Sequence, residues 1–366
     1  MTQSRTVLPE RNLDILRAIA VLGVLVNHVF DAYGSSSSFG GWFGRAGVLT
    51  FFVHTSLVLM SSMERQGTDD GWVTRFYVRR AFRIYPLAIV AILIAAGFRI
   101  THGVPVVHHP EVAPVPSPFV LAANLALVQN LVGARDILSV TWTLPVELQM
   151  YVLLPLCYVL ARRDQPLSGL LKLTMVGGAI GLGIQYARRA LHDNPHAFGL
   201  ALRTPPNLWK LTVFEFMPCF MCGVFVYSFL RRGWKPGIPW QWWVPLIVIN
   251  MCAWGLIDHY YQYNLWLQWG YCAIVAVIIL SIREIPENWL SHLGHEFAKY
   301  SYGIYLLHII GMWVGLTVLG MLPVWVEWIV AGGVTAMLPV LAYYTIEMPG
   351  IRLGQRLTRV RVLNRP

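Results

Sequence analysis

His28 stands in the outer half of the apolar run 13–30 (L-D-I-L-R-A-I-A-V-L-G-V-L-V-N-H-V-F), where an ionisable side chain is costly without a task. Asp14 and Arg17 occupy the same run nearer its start. Read as a helix, the eleven positions from Arg17 to His28 amount to about 1100° of rotation and about 16 Å of rise. The two side chains therefore leave nearly the same face at different depths. A cation at one level and a titratable imidazole at the other suit a reaction whose reagents arrive from opposite sides. A structural histidine satisfied by a neighbouring helix is the alternative.

The elements that must position these groups follow from composition. Of 366 residues, 56% are hydrophobic and 13% charged, and the mean hydropathy is +0.54. Apolar runs long enough to cross a bilayer recur through most of the chain. This predicts an all-α polytopic membrane protein, a single transmembrane domain over 1–366, because no stretch outside the runs is long enough to bury a core of its own. The first run contains Asp14 and Arg17 and is followed by no convincing cleavage site, so it is expected to be a retained anchor. A net charge of +10 would suit nucleic acid, but the basic residues gather at the ends of apolar runs, which assigns them to membrane orientation.

Ten spans are predicted, near 13–33, 43–63, 84–101, 141–161, 170–188, 210–231, 241–258, 265–283, 300–319 and 325–346. The run 118–134 is interrupted by Asn124, Gln129 and Asn130 and is expected to be re-entrant or interfacial. With ten crossings, Arg65, Arg75, Arg79, Arg80, Arg83, Arg162, Arg163, Arg231 and Arg232 fall on one side, which places both termini in the cytoplasm. Arg188, Arg189 and Arg203 are the exception. His102, His108, His109, His192, His196 and His259 fall on the other side without metal-ligand spacing, and no metal is expected. The five cysteines all lie in predicted spans, and Cys219-Phe-Met-Cys222 reads as packing.

Two further groups carry chemistry. In F-Y-V-R-R-A-F-R-I-Y-P, Arg80 and Arg83 are three apart and share a helical face at the expected start of the third span. Paired guanidinium groups suit phosphate oxygens, although ordinary flanking charge would look the same. In T-W-T-L-P-V-E-L-Q-M-Y, Pro145 fits a first helical turn with Thr143 as cap, which puts Glu147 on the outer side, where a carboxylate could orient His28. His54 in F-F-V-H-T-S-L and His308 in Y-S-Y-G-I-Y-L-L-H extend the polar lining.

Taken together, these motifs resemble the integral-membrane acyltransferase 3 family, which moves acyl groups from cytoplasmic acyl-CoA to hydroxyls, often on sugars at the outer face. The opening L-D-I-L-R-A-I-A-V-L-G-V-L-V-N-H resembles the family's first helix, with its Arg, ten residues and His. F-F-V-H-T-S-L-V-L, R-R-A-F-R-I-Y-P and W-T-L-P-V-E-L-Q-M-Y resemble its F-F-V-x-S-G-F-L, R-x-x-R-I-x-P and W-S-L-x-x-E-x-x-F-Y elements. Y-S-Y-G-I-Y-L-L-H and Y-T-I-E-M-P resemble S-Y-x-x-Y-L-x-H and F-x-E-x-P. Thr55-Ser56 replaces Ser-Gly, and His54 replaces an apolar residue.

The resemblance implies His28 as catalytic base or acyl relay with Glu147 beside it, and Arg17, Arg80 and Arg83 as ligands of acyl-CoA, in the first place acetyl-CoA. Asp14, His54, Tyr302, His308 and Glu347 would shape the polar interior. It further implies a bacterial cytoplasmic membrane, a carbohydrate acceptor, and no nucleic acid. Many relatives carry a C-terminal soluble domain, whereas this chain stops about twenty residues after its last span, so it is expected to act alone or with a separate soluble transfer protein. A small secondary metabolite such as a macrolide is an alternative acceptor. A secondary transporter or flippase is the alternative class, against which no repeat relates the first five spans to the last five.

Overall fold

The computed structural model describes residues 8–33, 41–100, 112–163, 166–193, 212–260 and 264–359. His102, His108, His109, His196 and Arg203 lie outside them, as do the side chains of His192 and His259. The architecture is all-α, as expected, and among the described residues the only β pairing is the isolated bridge between Ile238 and Ile282. Its helices are α1 (Glu10–Ala32), α2 (Gly41–Gln66), α3 (Trp72–Gly97), the short α4 (Pro118–Leu125), α5 (Thr143–Ala161), α6 (Pro166–Asp193), α7 (Val213–Arg231), α8 (Trp243–Tyr260), α9 (Leu265–Ser281), α10 (Trp289–Trp313), α11 (Val324–Ala342) and α12 (Met348–Leu357). Among the described residues nine helical stretches are long and apolar enough to cross a bilayer, and the 17-residue α9 is the shorter tenth. We call the side on which α1 begins the near face and the opposite side the far face.

Three boundaries differ from the sequence expectation, each for a physical reason. α3 begins at Trp72, not near 84, because the arginines of 75–83 continue a helix that no breaker interrupts once Gly71 has turned the chain at φ 77°. Arg83 therefore lies about 16 Å into α3 instead of opening it. α10 begins at Trp289, where the Asn288 side chain accepts from Ser291 N at 3.0 Å in a reciprocal cap. α11 runs on through a π turn, Tyr343–Glu347, into α12.

The segment 118–134 does not cross, in keeping with expectation. At eight residues α4 is about 12 Å long, far short of a bilayer core. The polar residues that break the apolar run are what hold it. Asn124, fully buried, donates to Arg135 O at 2.9 Å and accepts from Ile137 N at 2.9 Å. Gln129 donates to Asp136 Oδ1 at 3.1 Å. Irregular backbone away from water must be satisfied by protein, and these amides do it. The exceptional Arg188 also finds an explanation: it pairs with the buried Glu215 at the start of α7, at 2.7 Å.

α1 packs on α2 and α10, and α2 packs on α7. Where α1 meets α2 the backbones nearly touch, and a Cβ on Gly47 would stand 2.4 Å from Ala20 O. On the other side of α10, a Cβ on Gly311 would meet Thr335 Oγ1 at 2.4 Å. Small residues allow this approach in an environment where apolar burial alone does not drive helices together. The cysteines Cys157, Cys219 and Cys272 are buried in the packing, with Cys157 Sγ 3.8 Å from Met221 Sδ.

With α4 held off the crossing path, positions 117 and 168 belong to opposite faces. Ser117→Cys and Ser168→Cys should react with a membrane-impermeant maleimide from opposite sides of sealed vesicles. Labelling of both from one side would add a crossing and refute this arrangement.

Candidate active site

α1 and α10 run side by side in the same direction, and two contacts fix their register. Near one end His295 Nδ1 lies 2.8 Å from Asp14 Oδ2; further along, His28 Nδ1 lies 2.7 Å from His308 Nε2. The imidazole centroids are 4.8 Å apart with planes 20° from parallel, so the rings meet edge to edge. His308 is buried, with its Nδ1 2.9 Å from Ile304 O. Two histidines 280 residues apart thus form one unit.

Nearer the near face a cluster of charges gathers in the bundle. Arg83 Nη1 donates to Glu347 Oε2 at 2.9 Å; the Glu347 side chain is 0% exposed and that of Arg83 20%. The Arg83 guanidinium also lies 5.7 Å from the ring centroid of Tyr302, whose hydroxyl donates to Ile84 O at 2.8 Å. Glu147, on α5, accepts a hydrogen bond from Tyr151, and the charges acting on it are those of Arg17, Arg80 and Arg83. Arg17 in turn feels Arg83, Glu147, Glu347 and Asp14, and His54 feels Arg17. Charges held away from bulk water interact more strongly than exposed ones.

Beside Arg17 and Glu147 of this cluster opens a pocket that reaches along α10 as far as Tyr305. Arg17 and Glu147 supply its charges, Thr55, Ser301, Tyr302 and Tyr305 its hydroxyls, and Val48, Phe51, Phe52 and Leu144 its apolar wall. Helical register locates its far end. Gly44 abuts Asn27 and Gly47 abuts Ala20, so Val48 lies about two turns below the level of His28. Tyr305 lies one turn before His308 on α10 and donates to Val140 O at 2.9 Å. The cavity therefore runs from Arg17 toward the histidine pair.

The structure brings some of the residues singled out from the sequence together and places others elsewhere. Arg17, Arg80, Arg83 and Glu147 come together, with Glu347 and Tyr302 among them, and His54 is buried nearby. Glu147 does not orient His28. It follows Thr143 by only four residues, and its partner is the Tyr151 hydroxyl one turn on, within the electrostatic reach of Arg17, Arg80 and Arg83. Thr143 is not the cap of α5; its hydroxyl instead lies 2.9 Å from that of Tyr305. Asp14 is not part of the interior, because it pairs with the largely exposed His295 near the near face. Tyr151, Ser301 and Tyr305 were not singled out from the sequence, although their spacing supplied a signal: Tyr151 is four residues after Glu147, and Ser301 and Tyr305 flank Tyr302 on the turns leading to His308.

The profile of the acyltransferase-domain family, acyltransferase 3, matches residues 10–344. The chain belongs to that family. A curated relative, "Nodulation protein 10" of Rhizobium leguminosarum bv. viciae, is 24% identical over 385 residues, covering 96% of each chain. No solved structure matches. The protein is thus a multi-pass membrane acyltransferase of this family, and both the pocket beside Arg17 and the histidine pair lie within the matched region.

The Arg83–Glu347 pair should behave as a buried unit. Glu347→Ala would leave Arg83 uncompensated and cost about 3–5 kcal/mol, read as a lowered melting temperature in detergent. The double variant Arg83→Met/Glu347→Leu should recover much of that loss. Additive losses would show that the two residues do not act as a pair.

Proposed function

We propose that the protein transfers an acyl group, acetyl in the first place, from cytoplasmic acyl-CoA to a hydroxyl of a sugar or glycan on the other side of a bacterial cytoplasmic membrane. The observation that carries this reading is the pocket that opens beside Arg17 and reaches along α10 to Tyr305, one turn before the His308 that pairs with His28. A CoA donor has the matching shape, with phosphates at one end and a thioester on a flexible arm at the other. Arg80 and Arg17 would hold phosphate oxygens or polar groups of the arm; Arg17 Nε is a buried donor without a partner among the described residues. The distance also suits, since His28 lies eleven residues beyond Arg17, about 16 Å along the helix.

In this reading the near face is cytoplasmic, as the arginines Arg65, Arg75, Arg162, Arg163 and Arg231 around its helix ends support. His28 acts as general base on the acceptor hydroxyl, and the resulting oxygen nucleophile attacks the thioester; a route through an acyl-histidine is the variant. Glu147 and Glu347 act on the arginines, offsetting two of the three positive charges that Arg17, Arg80 and Arg83 bring into the membrane interior. A single domain suffices for these steps, and a separate soluble protein could receive the product.

Vesicles reconstituted with the full chain and given acetyl-CoA on the near face alone should acylate acceptors confined to the far face, the acceptor being identified by an acyl-sized mass difference in envelope glycans of cells with and without the protein. His28→Ala should abolish transfer while leaving expression and insertion intact, and near-normal transfer would remove His28 from the mechanism. Arg80→Ala should weaken acetyl-CoA binding by about 1.5–3 kcal/mol by calorimetry, one charge-assisted contact. Unchanged affinity would reduce Arg80 to a topology signal.

A further inference from the structure

The hydrogen bonds around the two histidines determine which nitrogen of His28 is reactive. A backbone carbonyl only accepts, so the contact of 2.9 Å between His308 Nδ1 and Ile304 O requires the hydrogen of His308 to be on Nδ1. In a neutral imidazole the other nitrogen then offers a lone pair. That nitrogen, Nε2, lies 2.7 Å from His28 Nδ1, which must therefore carry a hydrogen and donate it. With Nδ1 protonated, a neutral His28 keeps its lone pair on Nε2. Among the described residues Nε2 of His28 has no hydrogen-bond partner, and His28 is only partly buried whereas His308 is 1% exposed.

We infer that His308 is a positioning residue: by accepting the Nδ1–H of His28 it sets the tautomer that leaves His28 Nε2 as the proton acceptor of the reaction. This rests on the acyl-transfer reading for its chemistry, but the tautomer itself does not. The role is the one a carboxylate was expected to fill, and Glu147 is engaged with Tyr151 and the arginines instead. The step balances without another reagent. The acceptor's O–H proton goes to His28 Nε2, the C–O bond forms at the thioester carbon, the C–S bond breaks, and the leaving thiolate takes the proton from Nε2. While the proton resides on His28, the ring's positive charge is shared through the Nδ1–H···Nε2 bond to His308. The helix itself supplies the final anchor, since Ile304 precedes His308 by one turn of α10.

The test is solid-state NMR of the full chain labelled with ¹⁵N-histidine in lipid vesicles, with the His28 signals assigned by their loss in His28→Gln. His28 should be in the Nδ1–H form. His308→Phe, which keeps the bulk and removes the acceptor, should move His28 to the Nε2–H form; His308→Gln, whose amide oxygen can stand where Nε2 stood, should keep the native form. Transfer from acetyl-CoA to the envelope acceptor should fall about 10²–10⁴-fold in His308→Phe with KM for acetyl-CoA unchanged, and recover in large part in His308→Gln. An Nε2–H tautomer in the native protein, or no change in His308→Phe, overturns the inference. A tautomer switch in His308→Phe, with no acyl transfer by the native protein, leaves the pairing standing and refutes the acyl-transfer reading instead.

Discussion

A charge inside an apolar bundle must be answered by another charge or by hydrogen bonds, and this constraint fixes the centre of the molecule. Arg83 and Glu347 meet at 2.9 Å with the carboxylate wholly withdrawn from solvent, which ties α3 to the end of α11. Arg17 of α1 and Glu147 of α5 belong to the same electrostatic cluster. An ion pair of this kind contributes less to net stability than its Coulomb energy suggests, since desolvation offsets most of it. Its effect is on register: a helix displaced by a turn would strand a charge in hydrocarbon. The same groups that would engage a donor therefore hold their own helices in place.

The backbone bends to serve that requirement. The π turn Tyr343–Glu347 interrupts α11 where Glu347 has to reach Arg83, while Tyr343 and Tyr344 lie on the other side, their ring centroids 5.5 and 5.6 Å from Lys299 Nζ. A π turn adds a residue to one helical turn and shifts the faces that follow, and such turns recur at functional sites. Close contacts at Gly47 and Gly311 bring α2 and α11 against the α1–α10 pair. Phe52 is wedged against Phe216 and Phe220, so the wall of the cavity is stiff on that side. What remains unfilled between these elements is the pocket lined by Arg17, Glu147 and Tyr305.

Much of this was legible in the linear chain. Long apolar runs determined the helical membrane fold, because a backbone in hydrocarbon has to bond to itself. The interruptions at Asn124, Gln129 and Asn130 marked 118–134 as a segment that does not cross. The order of the motifs identified the family, and the spacing of Arg17 and His28 on one helix located a cation and an imidazole at two depths. Charge, by contrast, misled at 72–83, where arginines were read as flanks of a span that in fact contains them, since their neutralising partners lie as far away in sequence as Glu347.

The sequence by itself determined the class of the protein, the residues able to do chemistry and the helix that carries each, because these depend on local hydropathy and on the period of a single helix. Only the tertiary structure decided who meets whom. That Glu147 faces arginines and not His28, and that His28 is paired with His308, depends on which helices are neighbours and in what register. Contacts separated by 280 residues leave no periodic trace in the chain; they arise from packing, where small residues set the distance and buried charge sets the slide.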